Sequence, residues 1–127
     1  MQEQYVFEYA VVRVVPCVSR EEFLNVGVIV YCKQRKYLGT ILTLNEARLH
    51  IFHSAIDVAD VKQHLLAFEQ ISAGDATAGP IAQLDVAARF RWLTATRSTI
   101  IQASKVHPGL CTNPAETLAR LYRQLVL

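Results

Sequence analysis

The chain has 127 residues, 52% hydrophobic and 19% charged, with a formal net charge of +2. Its length supports one domain over residues 1–127, its composition excludes disorder, and its charge is too small to argue for nucleic acid by itself. Sparse charge leaves few residues to cover a surface, which favours an apolar patch and so a protein partner or a homodimer.

The start, Met1-Gln2-Glu3-Gln4, carries no basic stretch ahead of an apolar run, so no signal peptide is expected. The apolar runs are interrupted by Arg13, Pro16 or Lys33 and are too short to span a membrane. Cys17, Cys32 and Cys111 are odd in number and widely spaced. That argues for a reducing cytoplasm rather than a disulfide framework.

Tyr5 to Val15 is dense in β-branched and aromatic residues and stops at Pro16, which predicts a strand. Tyr5, Phe7, Tyr9, Val11 and Arg13 share one face, and Val6, Glu8, Ala10, Val12 and Val14 the other. Both are mainly apolar, so both should be covered. Val26 to Lys33 repeats the pattern, with Val26, Val28, Val30 and Cys32 on one face and Ile29 and Tyr31 on the other. A polar turn, Lys33-Gln34-Arg35-Lys36, leads to a third strand over Tyr37 to Leu44, an antiparallel hairpin partner of the second. Gly39 reads as a bulge or a close approach.

The period then changes. Glu46 to His53 is a short helix, with Leu49 and Phe52 in phase. Asp57 caps the next helix, whose stripe is Val58, Val61, Leu65 and Phe68, with Asp60 favourable to the dipole. Ser72 to Pro80 is small and Gly-rich and reads as a mobile loop. Ile81 to Thr94 resumes a helix with Leu84, Ala88 and Trp92 on one side. Ser98 to Ser104 is a fourth strand, and Val106 to Cys111 a turn region. In the last helix Asn113 caps, Pro114 occupies the first position, Glu116 closes a capping box, and Leu118, Leu121, Tyr122 and Leu125 form the stripe. Strands first and helices after, with one late strand, describe an α+β fold: a mainly antiparallel sheet of about four strands with three to four helices.

Tyr9-Ala10-Val11-Val12-Arg13-Val14-Val15-Pro16 and Glu22-Phe23-Leu24-Asn25-Val26-Gly27-Val28-Ile29 resemble a bacterial family catalogued as domain-of-unknown-function family 3037. Arg89 to Leu93, Arg97 to Gln102 and Val106 to Gly109 resemble it too, so the likeness covers nearly the whole chain. The resemblance implies a small bacterial protein of unassigned activity. It further implies a gene neighbour for a kinase similar to HipA toxins, and so a HipA-like kinase as protein partner. It carries over no catalytic residues.

Several residues invite a chemical role. Arg13 interrupts an apolar strand, and a carboxylate partner, Glu22 or Glu21, would offset its burial. That pair is a register-fixing salt bridge on the plainer account and an anion grip on the functional one. Asn25 can satisfy loop backbone or orient a substrate, and Gly27 lets another segment approach closely. His107, with Ser104 three residues upstream, is the best catalytic suspect, but a Ser–His pair needs hydrogen-bond reach and an orienting third group. His50, His53, Cys32 and His64 lack metal-ligand spacing, so no metal is expected. No cofactor is expected either, for want of a phosphate loop or nucleotide fingerprint. Arg89, Arg91 and Arg97 flank Phe90 and Trp92, a pattern open to nucleic acid, although both rings read more simply as core.

The favoured reading is a non-catalytic, cytoplasmic accessory protein that binds a protein partner. The alternative is a small enzyme or ligand-binding domain with a polar cleft built from Arg13, Glu22, Asn25, Arg97, Ser104 and His107. A nucleic-acid binder is the third. Convergence of those polar side chains in one pocket separates the second reading from the first.

Overall fold

β1 (Tyr5–Val14) carries the sheet, because every other strand but one pairs with it. The computed structural model describes residues 3–20, 22–95 and 99–127. β2 (Leu24–Cys32) runs antiparallel to β1, and β3 (Tyr37–Leu42) antiparallel to β2 through the expected hairpin turn. The far side of β1 is shared end to end by two short strands. β4 (Ile101–Ala103) pairs with Val12 to Val14, and β5 (His107–Cys111) pairs with Tyr5 to Tyr9. The five strands described form one sheet in the order β3-β2-β1-β4, with β5 also on β1. The helices that follow make the fold α+β.

β5 corrects the expectation of a turn over Val106 to Cys111. Pro108 and Gly109 are poor strand formers in general, but proline is tolerated where a strand lies at a sheet edge. Gly109 is also required by its neighbour, since a Cβ there would lie 2.6 Å from the Phe7 ring. Of the late strand expected over Ser98 to Ser104, the structure forms Ile101–Ala103; Ser98 lies outside the described residues.

A bulge between β1 and β2 decides which residues share a face. Val12 pairs with Gly27 but Arg13 pairs with Asn25, so Val26 is the extra residue. Leu24 and Val26 therefore face the same side as Ile29 and Tyr31. This corrects the strict alternation that put Val26 with Val28. Gly27 sits at the bulge, where a Cβ would come 2.5 Å from the Ile41 carbonyl on β3. Gly39 makes no bulge; it stands in regular register opposite Val30, under the Tyr37 ring.

α1 (Glu46–Phe52) is capped by Asn45, and α2 (Val58–Ala73) by Asp57, whose side chain accepts from the Asp60 N–H. Gly74, at φ 72°, ends α2 in the left-handed region that glycine tolerates. Of the loop expected over Ser72 to Pro80, Ser72 and Ala73 belong to α2, and tight turns follow at Ala76–Ala78 and Pro80–Gln83. Asp75 caps the first by accepting from the Thr77 N–H at 2.9 Å and its hydroxyl at 2.7 Å. α3 then begins at Val86 rather than Ile81, capped by Asp85, and runs to Thr94. Its buried residues are Phe90 and Leu93; Leu84 is 41% and Trp92 38% exposed, so the expected stripe faces outward. α4 (Pro114–Leu125) has the Asn113 cap, which accepts from the Ala115 and Glu116 N–H groups.

Two cores result, one on each side of the sheet. Ala10, Val12, Val14, Leu24, Val26, Ile29 and Tyr31 meet Leu49 of α1, Val61, Leu65 and Phe68 of α2, and Phe90 and Leu93 of α3. Phe7, Val28, Val30 and Cys32 meet Leu118 and Leu121 of α4 and Val126 beyond it. Burying each leucine stabilises by about 1.5–3 kcal/mol, so Leu118→Ala would cost about 2–5 kcal/mol. The helices thus divide between the two faces of the sheet, α1 to α3 on one and α4 on the other.

Candidate functional site

Among the described residues, Arg13 and Asn25 stand opposite each other across β1 and β2, whereas Glu22, Ser104 and His107 make contacts elsewhere. Arg13 carries its guanidinium 3.9 Å above the Phe23 ring, and burial lowers its pKa. Its Nε is buried with no hydrogen-bond partner among the described residues. Glu22 does not reach it. Its Oε1 accepts from Arg20 instead, 2.8 Å from Nη2 and 3.0 Å from Nε. The reason is register: Arg13 lies opposite Asn25, whereas Glu22 precedes the strand and turns toward the residue two before it. Glu21 and Arg97 lie outside the described residues.

Asn25 holds the fold together over a long range. Its Nδ2 donates to the Leu125 carbonyl at 3.1 Å, tying the last turn of α4 to β2. Ser104 is likewise structural. It sits at the break between β4 and β5, where its N–H donates to the Val11 carbonyl at 2.8 Å. Its Oγ accepts from the Val11 N–H at 2.8 Å and donates to the Lys105 carbonyl at 2.9 Å. The side chain thus stands in for a ladder carbonyl that the broken strand lacks. His107 opens β5, is exposed, and packs its ring 5.3 Å from that of Tyr9. Ser104 and His107 therefore make no catalytic pair: the hydroxyl is committed to backbone.

The arginines around α3 are engaged as well. Arg91 grips Glu8 of β1, with Nη2 2.9 Å from Oε2 and Nη1 3.2 Å from Oε1. Arg89 Nη1 donates to the Leu84 carbonyl at 3.0 Å. Phe90 is core, stacked 5.1 Å from Tyr31. Trp92 is partly exposed, against the expectation that it is core. Among the described residues no group of three or more His, Cys, Asp or Glu is arranged to hold a metal ion.

Cys17 lies in a different setting from the other two thiols. It lines a cavity of about 50 Å³ with Pro16, Arg20, Glu22, Phe52 and His53. The Ser19 hydroxyl, 3.2 Å from its Sγ, holds the thiol below its ordinary range, aided by the backbone N–H groups of Arg20 and Ser19 and the Arg20 charge. Cys111 is buried, and burial pushes its thiol up.

An apolar surface that sequence did not reveal lies where β1 and β5 meet. Val6 and Leu110 stand opposite each other in register and are 57% and 62% exposed. Directly opposed residues share a face of the sheet. Pro108, opposite Glu8, continues that face and is exposed. Beside Val6 a groove of about 500 Å³ runs over Tyr31 and Ala87, with Lys33, Gln34, Glu8 and Arg91 along its rim. Burial raises the Tyr31 phenol above its ordinary value. β5 pairs with β1 alone, so its outer edge meets no described strand. His107 to Cys111 shows no strand alternation, and Pro108-Gly109 reads locally as a turn.

Residues 9–126 match the family model of DUF3037, a protein family of unknown function. The chain belongs to that family. The match takes in all of α1 to α4 and the greater part of the DUF3037 sheet, from Tyr9 of β1 onward. No curated protein and no solved structure matches this DUF3037 chain. No described helix is long and apolar enough to cross a membrane.

Proposed function

We propose that this DUF3037 protein is a non-catalytic accessory protein that binds a protein partner through the Val6–Leu110 face. The observation that carries the reading is the contrast between two sets of residues. Of Arg13, Glu22, Asn25, Ser104 and His107, only Arg13 and Asn25 stand opposite each other, and Asn25 Nδ2 and the Ser104 hydroxyl are bonded to backbone. Val6 and Leu110 form a paired apolar surface at an unpaired sheet edge, next to an apolar groove with a polar rim. Apolar surface surrounded by polar residues is the usual anatomy of a docking site.

The chemistry suits an apolar segment that carries a carboxylate. Arg91 is matched by Glu8, whereas Lys33 on the same rim has no partner among the described residues. Side-chain docking is favoured over strand addition, because Pro108 offers no N–H at that edge. Three free thiols support a reducing cytoplasm as the setting. The family resemblance makes a HipA-like kinase the first partner to test. A photo-crosslinking residue at position 110, activated in the native host and followed by mass spectrometry, tests the reading. It predicts one defined heterologous adduct. Crosslinking only to a second copy, at twice 14.3 kDa, would replace it with a homodimer, and no adduct would reject it.

A further inference from the structure

The cavity between α2, α3 and β4 lies away from the Val6–Leu110 face and has a different character. It measures about 340 Å³ and is walled by Phe68 and Ile71 of α2, Trp92 and Leu93 of α3, and Ile101 of β4. Apolar cavities of roughly 150 Å³ stay dry and admit a single aromatic ring. This one has room for two fused rings, and most of its wall is apolar. Its volume also falls within the roughly 300–1,000 Å³ range of small-molecule sites.

Three polar side chains line the same cavity, and each has already donated a hydrogen to backbone. His64 Nδ1 lies 2.8 Å from the Asp60 carbonyl. A carbonyl only accepts, so Nδ1, which also lies 3.6 Å from Asp60 Oδ1, holds a proton, and in the uncharged ring Nε2 is left to accept. Gln102 Nε2 donates to the Thr99 carbonyl at 2.9 Å, which leaves Oε1 to accept. The Thr99 hydroxyl donates to the Ile101 carbonyl. What this set has left to offer is chiefly acceptors, and a ligand would have to bring the donor.

We infer that this cavity binds a small, flat, apolar molecule of about two fused rings bearing one hydrogen-bond donor. Trp92 is the only tryptophan in the chain, so its emission reports on this wall. The probe is 2-naphthol, titrated into the full chain at pH 8 and read by quenching of Trp92. Saturable quenching is expected, with naphthalene, which lacks the hydroxyl, binding about tenfold more weakly. Ala67→Phe, which adds a ring at the cavity mouth, should weaken 2-naphthol by at least about tenfold while leaving the circular dichroism spectrum unchanged. Should that variant not fold, Ala95→Phe makes the same test from the α3 side. Quenching that rises linearly without saturating overturns the site. So does equal affinity in the folded blocking variant. Equal affinity for naphthalene overturns the donor requirement.

Discussion

Replacing Arg13 by methionine should leave the protein as stable as before or make it more stable. An arginine held in a salt bridge would behave in the opposite way, because its removal strands a buried acid. Here Glu22 is bonded to Arg20, and Arg13 has a buried Nε with no described partner. Leaving a buried donor unmade costs about 1–3 kcal/mol, and the half-buried setting of Arg13 places it at the low end of that range. Against this, the guanidinium lies 3.9 Å over the Phe23 ring, a contact worth about 0.5–1 kcal/mol at a partly exposed site. Methionine keeps the unbranched stem that packs there. The balance is a gain of zero to about 1 kcal/mol, or up to about 3–5 °C in Tm for a chain of this size. Urea denaturation followed by circular dichroism at pH 7 measures it. A loss of more than about 1 kcal/mol would refute the reasoning, and would mean that Arg13 holds a carboxylate after all.

Ser104→Ala should cost about 1–3 kcal/mol in the same assay, since it orphans the buried Val11 N–H. Unchanged stability would show that the break between β4 and β5 does not depend on that hydroxyl. Gly27→Ala should cost about 1–3 kcal/mol through overpacking, because its Cβ would press on the Ile41 carbonyl; a neutral result would mean that β3 can shift away. Alkylation by iodoacetamide, followed by peptide mapping across pH, should modify Cys17 first. A thiol held below its ordinary range gains thiolate at lower pH, and Cys111, raised by burial, gains it only at higher pH. Ser19→Ala should move the Cys17 profile to higher pH, and an unmoved profile would discount the Ser19 hydroxyl.

Most of the fold is legible in the sequence because strand and helix periods are strong here. The Asp57 and Asn113 caps, the hairpin at Lys33 to Lys36 and the α4 stripe all follow from local chemistry. What escaped was set by long-range pairing. The Val26 bulge cannot be seen within β2 alone, because it is defined by the register of β1. β5 was hidden by Pro108-Gly109, residues that local propensity assigns to a turn and that a sheet edge tolerates. The start of α3 was misplaced because Pro80 to Gln83 forms a separate turn before the Asp85 cap.

The candidate site fared differently. Arg13 and Glu22 are close in sequence terms to a plausible pair, yet Glu22 had a nearer cation in Arg20. Asn25 and Ser104 are polar residues near strand ends whose partners, Leu125 and Val11, lie about a hundred residues away in the chain. Nothing local distinguishes such structural use from catalysis. The Val6–Leu110 face was unreadable for the same reason as β5, since it exists only once that strand is paired.

The central claim is that the Val6–Leu110 face recruits a partner, and one comparison tests it most directly. Tagged wild-type protein, Leu110→Glu and Ile51→Glu are each used to capture partners from the native host, with quantitative mass spectrometry of what is retained. Ile51 is 88% exposed on α1, away from the proposed face, and controls for an added surface charge. The account predicts one partner retained by wild type and Ile51→Glu and lost from Leu110→Glu. Equal retention by all three proteins would contradict it.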